Sequence, residues 1–232
     1  MRLKSSLIAL SLSLLCLIPR IASADTITLT TTTGGSTDGV NVYPYEFTVK
    51  GPGGTEQNVI MSCLNFDREI SFGETWTVDA LNLSTVNPLS TYDHESGVSL
   101  LADAWLFNQY GTSAGSDSEI QFAIWSIMDP TDINKLNPSY NGSNAFDPTA
   151  QALAATAIAN VTGSHPLPSS YFANDYAFLP DPSGNSGWTN GEPQIFITDP
   201  LPRAMTPEPG SLILLGTGLL GMAATMRRRL LA

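Results

Sequence analysis

The stretch VNVYPYEFTVKGPGGTEQNVIMSCL, residues 40–64, predicts two β-strands joined by a turn. Residues 40–50 alternate apolar and polar side chains, which is the period of a strand with one buried face. The Gly-Pro-Gly-Gly sequence at 51–54 turns the chain back, so we expect residues 59–64 to pair with the preceding strand. The predicted buried face of the first strand consists of Tyr43, Tyr45, Phe47 and Val49.

Further strands are predicted on both sides of this hairpin, at residues 26–33, 74–83 and 194–198. Between the last two, the apolar spacing becomes helical. One helix carries the stripe from Val98 to Leu106, and a second begins at the capping box formed by Ser116 and Glu119. A third runs from Pro148 to Asn160 with Asp147 as its N-cap, and residues 163–191 are interpreted as a surface loop. We therefore predict an α+β fold, an antiparallel β-sandwich or barrel with a helical insertion.

The N-terminal residues 1–24 have the three parts of a secretory signal peptide. Arg2 and Lys4 are basic, residues 7–18 are apolar, and Ala22 and Ala24 flank Ser23 in a small-residue cleavage site. We expect a signal peptidase to cut after Ala24.

The C-terminal residues 207–232 also have three parts in order. Pro207, Glu208 and Pro209 precede an uncharged run from Gly210 to Met226, and the basic stop Arg227-Arg228-Arg229 follows. Basic residues stay on the cytoplasmic side of a membrane, so they predict a single C-terminal membrane helix that leaves the preceding domain outside. The run reaches only about 25 Å at roughly 1.5 Å per residue, which is short for a permanent anchor.

This tail resembles the PEP-CTERM sorting signal of Gram-negative bacteria. The resemblance implies processing by an exosortase, a membrane peptidase, and then release or attachment at the cell surface. The expected route is export, anchoring in the inner membrane with the domain facing the periplasm, and transfer to the cell surface or extracellular matrix. An ordinary C-terminal membrane helix is the alternative.

Without both termini the chain is strongly acidic. Lys50, Arg68, Lys135 and Arg203 then face all 21 acidic residues, which leaves a net charge of −17 for residues 25–209. Such a domain repels nucleic acid and anionic lipid, so nucleic acid is not an expected partner. No metal site or cofactor is predicted, because His94 and His165 stand alone and no calcium-loop motif is present.

Cysteine usage leaves one thiol in the mature protein. Cys16 belongs to the signal peptide, so Cys63 has no partner for an internal disulfide. Its thiol is either buried and inert, joined to another chain, or used in chemistry. A cysteine peptidase with His94 is disfavoured because no family signature surrounds Cys63, and we expect no enzymatic turnover.

Three segments together resemble the thioester (TQXA-type) domains of bacterial surface adhesins. They are Cys63 at a strand end with Asn65 and Asp67 after it, the helix with Ala104-Trp105-Leu106, and the sequence Gln121-Phe122-Ala123-Ile124-Trp125 on the next helix. The resemblance implies a bond between the Cys63 sulfur and the Gln121 carbonyl carbon. Ile120 replaces the threonine of the family motif.

A thioester forms only if thiol and carboxamide are held together and water is excluded. Phe122 and Trp125 are expected to shield the bond, and free N–H groups at the helix start are expected to lower the thiol pKa and stabilise the oxyanion.

The predicted division is therefore a signal peptide at 1–24, an extracytoplasmic thioester-like domain at 25–199, a linker at 200–206 and the sorting signal at 207–232. The first functional hypothesis is a surface or matrix protein that adheres covalently, through Cys63 and Gln121, to an amine- or hydroxyl-bearing surface or polysaccharide. The second is a passive structural component of the extracellular polysaccharide matrix with an inert, buried Cys63.

Overall fold

The computed structural model describes residues 25–37, 39–51, 54–68, 70–130, 148–181 and 193–199. The signal peptide, the linker, the sorting tail and the proposed N-cap Asp147 lie outside these residues. Within them, no helix is long and apolar enough to cross a membrane.

The described residues form a closed antiparallel barrel whose strands follow the order β1-β4-β5-β10-β9-β6. The barrel strands are β1 (Asp25–Thr32), β4 (Tyr45–Lys50), β5 (Glu56–Cys63), β6 (Thr75–Asn82), β9 (Tyr176–Pro180) and β10 (Phe196–Thr198). Closure removes the exposed strand edges that an open sheet would present. The prediction of an antiparallel β fold with a helical insertion is confirmed, and the architecture is a barrel.

The helical insertion lies between β6 and β9. It contains α1 (Gly97–Phe107), α2 (Asp117–Met128) and α3 (Pro148–Thr162). α1 begins at the N-cap Ser96, and α2 begins at Ser116 with both hydrogen bonds of the predicted capping box. These helices start where their sequences offer side-chain acceptors for the free N–H groups of the first turn.

The predicted strand over residues 40–50 is interrupted. A short strand β3 (Val40–Asn41) pairs with β2 (Ser36–Thr37), and the barrel strand β4 begins only at Tyr45. The strand is interrupted at Pro44, because a proline has no N–H to donate to a strand ladder. From Tyr45 onward the prediction holds, since Tyr45, Phe47 and Val49 are buried and β4 pairs antiparallel with β5.

One further prediction needs correction. The loop interpretation of residues 163–191 is wrong for Tyr176–Pro180, which form the barrel strand β9 between β6 and β10. The segment before α1 forms a hairpin of β7 (Thr91–Tyr92) and β8 (Glu95–Ser96). Asp93 and His94 form its turn with φ values of 46° and 68°, the left-handed conformation that two-residue hairpin turns require.

Candidate functional site: a buried cysteine and glutamine

Cys63 is the last residue of β5, and its side chain is completely buried. It lies opposite Phe196 of β10, so the neighbouring barrel strand covers this end of β5. Val59 and Met61 are buried on the same face, as the alternation of the strand predicted. The thiol is therefore held inside the core, between the barrel and the helical insertion.

Gln121 lies 58 residues later on α2, and it is also completely buried. Its amide nitrogen Nε2 donates to the Cys63 backbone carbonyl at 2.6 Å. Its carbonyl oxygen Oε1 accepts hydrogen bonds from the Ser62 hydroxyl at 3.0 Å and from the Tyr110 hydroxyl at 3.2 Å. The structure thus brings together the two residues that the sequence selected as thioester partners.

The orientation of the Gln121 amide follows from these contacts. The Cys63 carbonyl can only accept, so the group facing it must be the NH₂ donor. The amide oxygen then faces the two hydroxyls. The reverse orientation would place two carbonyl oxygens against each other, which is electrostatically unfavourable.

The Cys63 thiol donates a hydrogen bond to the Asn65 backbone carbonyl at 3.0 Å. Burial raises the pKa of this thiol far above its ordinary value. The Trp125 side chain opposes that rise in pKa, and the negative charge of Asp129 adds to it. The thiol is therefore protonated at neutral pH, and the expectation of a lowered pKa is wrong because desolvation dominates.

The start of α2 does not supply the expected N–H donors either. Gln121 is the fifth residue of the helix, beyond its first turn. The Ser116 side chain and backbone carbonyl accept hydrogen bonds from the N–H groups of Glu119 and Ile120. The groups that face the Gln121 oxygen are hydroxyls, which sequence reasoning missed.

Two aromatic side chains of α2, Phe122 and Trp125, are buried close to Gln121 in the sequence. Phe122 is 6% exposed and Trp125 is 2% exposed. The Trp125 ring packs against Phe122 at 5.4 Å and against Phe66 at 5.0 Å between centroids. Among the described residues, the Trp125 indole N–H has no hydrogen-bond partner. It nevertheless lies close enough to Cys63 to lower the pKa of the thiol. This aromatic cluster therefore reaches the buried thiol through Trp125.

The loop after Cys63 is held by Asn65, which is completely buried. Its side-chain oxygen accepts from the Ile195 N–H at 2.8 Å, and its side-chain nitrogen donates to Glu95 at 3.2 Å. The Asp129 carboxylate accepts the N–H groups of Phe66 and Asp67. These bonds fix the backbone that carries the thiol.

A cleft of about 470 Å³ lies on the outer side of this enclosure. Its lining includes Tyr45, Phe66 and Trp125, together with the polar side chains Arg68 and Gln194. Arg68 pairs with Asp93 at 3.2 Å and donates to the Pro193 carbonyl. Phe66 and Trp125 belong both to the cleft and to the aromatic cluster, so the cleft adjoins the ring that lies near the thiol.

The two histidines lie at the surface. His94 is in the β7–β8 turn and His165 follows α3, and both are exposed, whereas Cys63 is buried. Across the described ranges, no group of three or more metal-ligating side chains has suitable geometry for an ion. The signal-peptidase residues, the Pro207-Glu208-Pro209 motif and the arginine stop lie outside the described residues.

Comparison with known proteins supports two separate similarities. Residues 206–229 match the family model described as the PEP-CTERM protein-sorting motif. No curated protein sequence matches the chain. The structural neighbours include N-terminal thioester domains of surface proteins.

One neighbour is the thioester domain of the fibronectin-binding protein SfbI from Streptococcus pyogenes, with 13% identity and a TM-score of 0.40 over 79% of this chain and 97% of that one. Another is the thioester domain of a surface protein from Clostridium perfringens, with 9% identity and a TM-score of 0.38 over 75% and 97%. The N-terminal domain of the Streptococcus pyogenes pilus tip adhesin Cpa is similar at 12% identity and a TM-score of 0.36 over 78% and 95%. The chain thus carries a PEP-CTERM sorting motif behind a domain whose structural neighbours are thioester domains of surface adhesins.

Proposed function

We propose that this chain is an exported, exosortase-sorted surface or matrix protein that attaches covalently through a Cys63–Gln121 thioester. The observation that supports this proposal is the contact between the Gln121 carboxamide and the Cys63 residue inside a sealed core. Glutamine is seldom completely buried without a structural or chemical reason. Here the desolvated amide is hydrogen-bonded to the backbone of the residue that carries a desolvated thiol.

The bond-forming step is an acyl transfer within the chain. The Cys63 sulfur attacks the Gln121 carbonyl carbon, and the carbonyl oxygen takes up the negative charge. When the C–N bond breaks, the proton from sulfur leaves on nitrogen as ammonia. The product is an S–C(=O) bond, and the chain loses about 17 Da, the mass of one ammonia.

The position and burial of Cys63 and Gln121 favour this step. A thioester has less resonance stabilisation than an amide, so it accumulates only where the reactants are pre-positioned and water is absent. The burial of both residues and the aromatic cover of Phe122 and Trp125 support both conditions. The raised thiol pKa means that sulfur loses its proton as the new bond forms and not beforehand.

The second step consumes the bond once. An amine on a partner surface attacks the same carbonyl carbon, an amide forms, and the sulfur leaves with a proton. A hydroxyl would give an ester by the same route. The cleft beside Trp125 is the proposed approach for the amine, and movement of the Trp125 ring would open it. The reaction has no turnover, because the acyl group stays on the partner.

The domain contains few amines that could attack its own thioester. Lys50 and Lys135 are its only lysines between the predicted signal cut and the sorting motif. Lys50 lies at the end of β4 and pairs with Glu56 at 3.2 Å. The matched sorting motif and the predicted signal peptide support the proposed location outside the inner membrane.

A passive matrix component with an inert thiol is the second candidate. The hydrogen bond from the thiol to the Asn65 carbonyl and the strongly raised thiol pKa favour it. Buried cysteines commonly act as small apolar side chains. The two candidates share the same export route and differ in one covalent bond.

Intact mass spectrometry of the purified protein separates them. The thioester predicts a mass lower by about 17 Da, a thiol that does not react with iodoacetamide, and a gain of about 31 Da with one free thiol after methylamine treatment. Cys63→Ala and Gln121→Ala should each retain the full mass, whereas Gln57→Ala on the same strand as Cys63 should behave as wild type. Full mass in the wild type, without a methylamine adduct, rejects the thioester and supports the passive role.

Cell fractionation tests the location separately. The expected mature chain begins at Asp25 and is found in the envelope or outside the cell. Full-length protein dissolved in the cytosol would contradict export.

A further inference from the structure

Two hydroxyl groups face the one atom of Gln121 on which charge would develop. Ser62 Oγ lies 3.0 Å and Tyr110 Oη 3.2 Å from Gln121 Oε1. The two hydroxyl oxygens are also 3.0 Å from each other. Ser62 is the residue before Cys63 on β5, and Tyr110 follows α1, so barrel and insertion each contribute one donor.

The two hydroxyl oxygens and Gln121 Oε1 form a triangle, and the number of protons in it limits how many hydrogen bonds can form. Two hydroxyls carry two protons, but the triangle contains three contacts, so the three cannot all be hydrogen bonds at once. Either both protons point at Oε1, or one hydroxyl donates to the other and only one proton reaches Oε1. A neutral amide oxygen tolerates both arrangements, whereas an oxyanion favours the one with two donors.

The donors therefore stabilise the charged intermediate more than the ground state. Only interactions that are stronger in the transition state accelerate a reaction. Donors that are already in place and lie in a desolvated site provide such stabilisation without reorganisation. Ser62 and Gln121 are completely buried. Tyr110 is half-buried, and its hydroxyl contacts both of them.

We propose that the Ser62 and Tyr110 hydroxyls form an oxyanion hole for Gln121 Oε1, both when the thioester forms and when an amine opens it. The two steps share one geometry, because in each a nucleophile adds to the same carbonyl carbon and places negative charge on the same oxygen. Electrons return to the carbonyl when ammonia leaves in the first step and when the thiol leaves in the second. This inference rests on the proposed thioester function and assigns its catalytic donors.

Tyr110 is suited to remain a donor. Burial raises the pKa of its hydroxyl well above the ordinary tyrosine value, so it keeps its proton at any physiological pH. Its ring stacks on Tyr43 at 3.8 Å with 16° between the planes. Phenylalanine at this position retains the ring and the stacking and removes only the hydroxyl.

The test uses the full chain with Tyr110→Phe, Ser62→Ala and the double variant. Tyr92→Phe is the matched control, because it removes another part-buried tyrosine hydroxyl, which accepts a hydrogen bond from the Asn87 N–H and does not line the cleft. Two readouts are taken by intact mass. They are the time after synthesis at which half of the chains have lost ammonia, and the rate constant for methylamine addition to the completed bond.

Each single variant should slow both processes by about 100-fold, the usual effect of losing one oxyanion donor. The double variant should retain the full mass over the whole time course, and Tyr92→Phe should match wild type. Melting temperatures within a few degrees of wild type show that the fold is kept, and Ser62→Ala decides the question if Tyr110→Phe does not fold.

Folded single variants that form and open the thioester within twofold of wild type overturn this inference and leave the thioester itself intact. A wild-type chain that keeps its full mass overturns both.

Discussion

Asn65 shows how a single buried polar residue organises the neighbourhood of the thiol. Its backbone carbonyl accepts from the Cys63 thiol at 3.0 Å and from Gln194 at 2.9 Å. Its side chain joins β10 through the Ile195 N–H and the β7–β8 hairpin through Glu95. One residue thus satisfies buried groups from three parts of the chain.

Asn65→Ala should lower the free energy of unfolding by about 1–3 kcal/mol, because the buried Ile195 N–H loses its acceptor. The measurement is urea denaturation with the slope checked against wild type. Asn58→Ala is the control, since Asn58 is exposed on β5 and bonds only the exposed Thr48 side chain among the described contacts. Equal stabilities of the two variants would contradict this account of Asn65.

At the scale of elements, α2 presents both the reactive amide and its cover. Residues 120–125 of this helix are all buried. Gln121 contacts the end of β5, Trp125 lies near the thiol, and Phe122 packs against Trp125. The capping box at Ser116 sets where the helix begins and hence which of its residues face Cys63.

Ser116→Ala should lower the free energy of unfolding by about 1 kcal/mol, because the Glu119 N–H loses its side-chain acceptor. Thermal or urea unfolding measures this change. Ser126→Ala is the matched control in the same helix, since its hydroxyl bonds a carbonyl one turn back and caps nothing. A larger loss in the control than in Ser116→Ala would contradict the role of the cap.

At the scale of the whole molecule, burial of acidic side chains raises the pKa of their carboxyl groups. The carboxyl pKa is raised to about 7 for Glu95 and to about 6 for Asp25 and Asp175, in each case chiefly by burial. Asp103 is fully buried, its carboxylate oxygens have no hydrogen-bond partner among the described residues, and burial raises its pKa well above normal. The fold therefore holds these groups more easily as neutral acids than as carboxylates.

The sign of the resulting pH dependence follows from this direction. A carboxyl whose pKa is higher in the folded state than in the unfolded state binds protons more tightly when folded. Its stabilisation is complete below the unfolded pKa of about 4.5 and is lost as the pH rises through the folded pKa of about 7. The melting temperature should be higher at pH 5 than at pH 8.

Differential scanning calorimetry at the two pH values measures this difference. Glu95→Gln should reduce the difference, whereas Glu46→Gln, which removes one charge from the barrel wall, should leave it nearly unchanged. A melting temperature that rises from pH 5 to pH 8 would contradict the burial account.

The sequence by itself determined the features that depend on neighbouring residues. Alternation over Tyr45–Lys50 identified β4, and the Ser116–Glu119 pair located the start of α2. The C-terminal motif could also be identified from the sequence, because a sorting signal is a linear segment of the chain. The resemblance to a thioester motif selected Gln121 together with Cys63, but it did not identify Ser62 and Tyr110 as the groups that contact the amide oxygen.

Only the tertiary structure decided which distant residues meet. Tyr176–Pro180 is a strand because β6 and β10 pair with it on both sides, and such pairing leaves no local periodicity in five residues. Ser62 and Tyr110 reach the Gln121 oxygen because barrel closure and the docking of α2 bring three separate segments together. Contacts of this kind depend on the packing of the whole chain, since their partners are far apart in sequence and carry no mutual pattern.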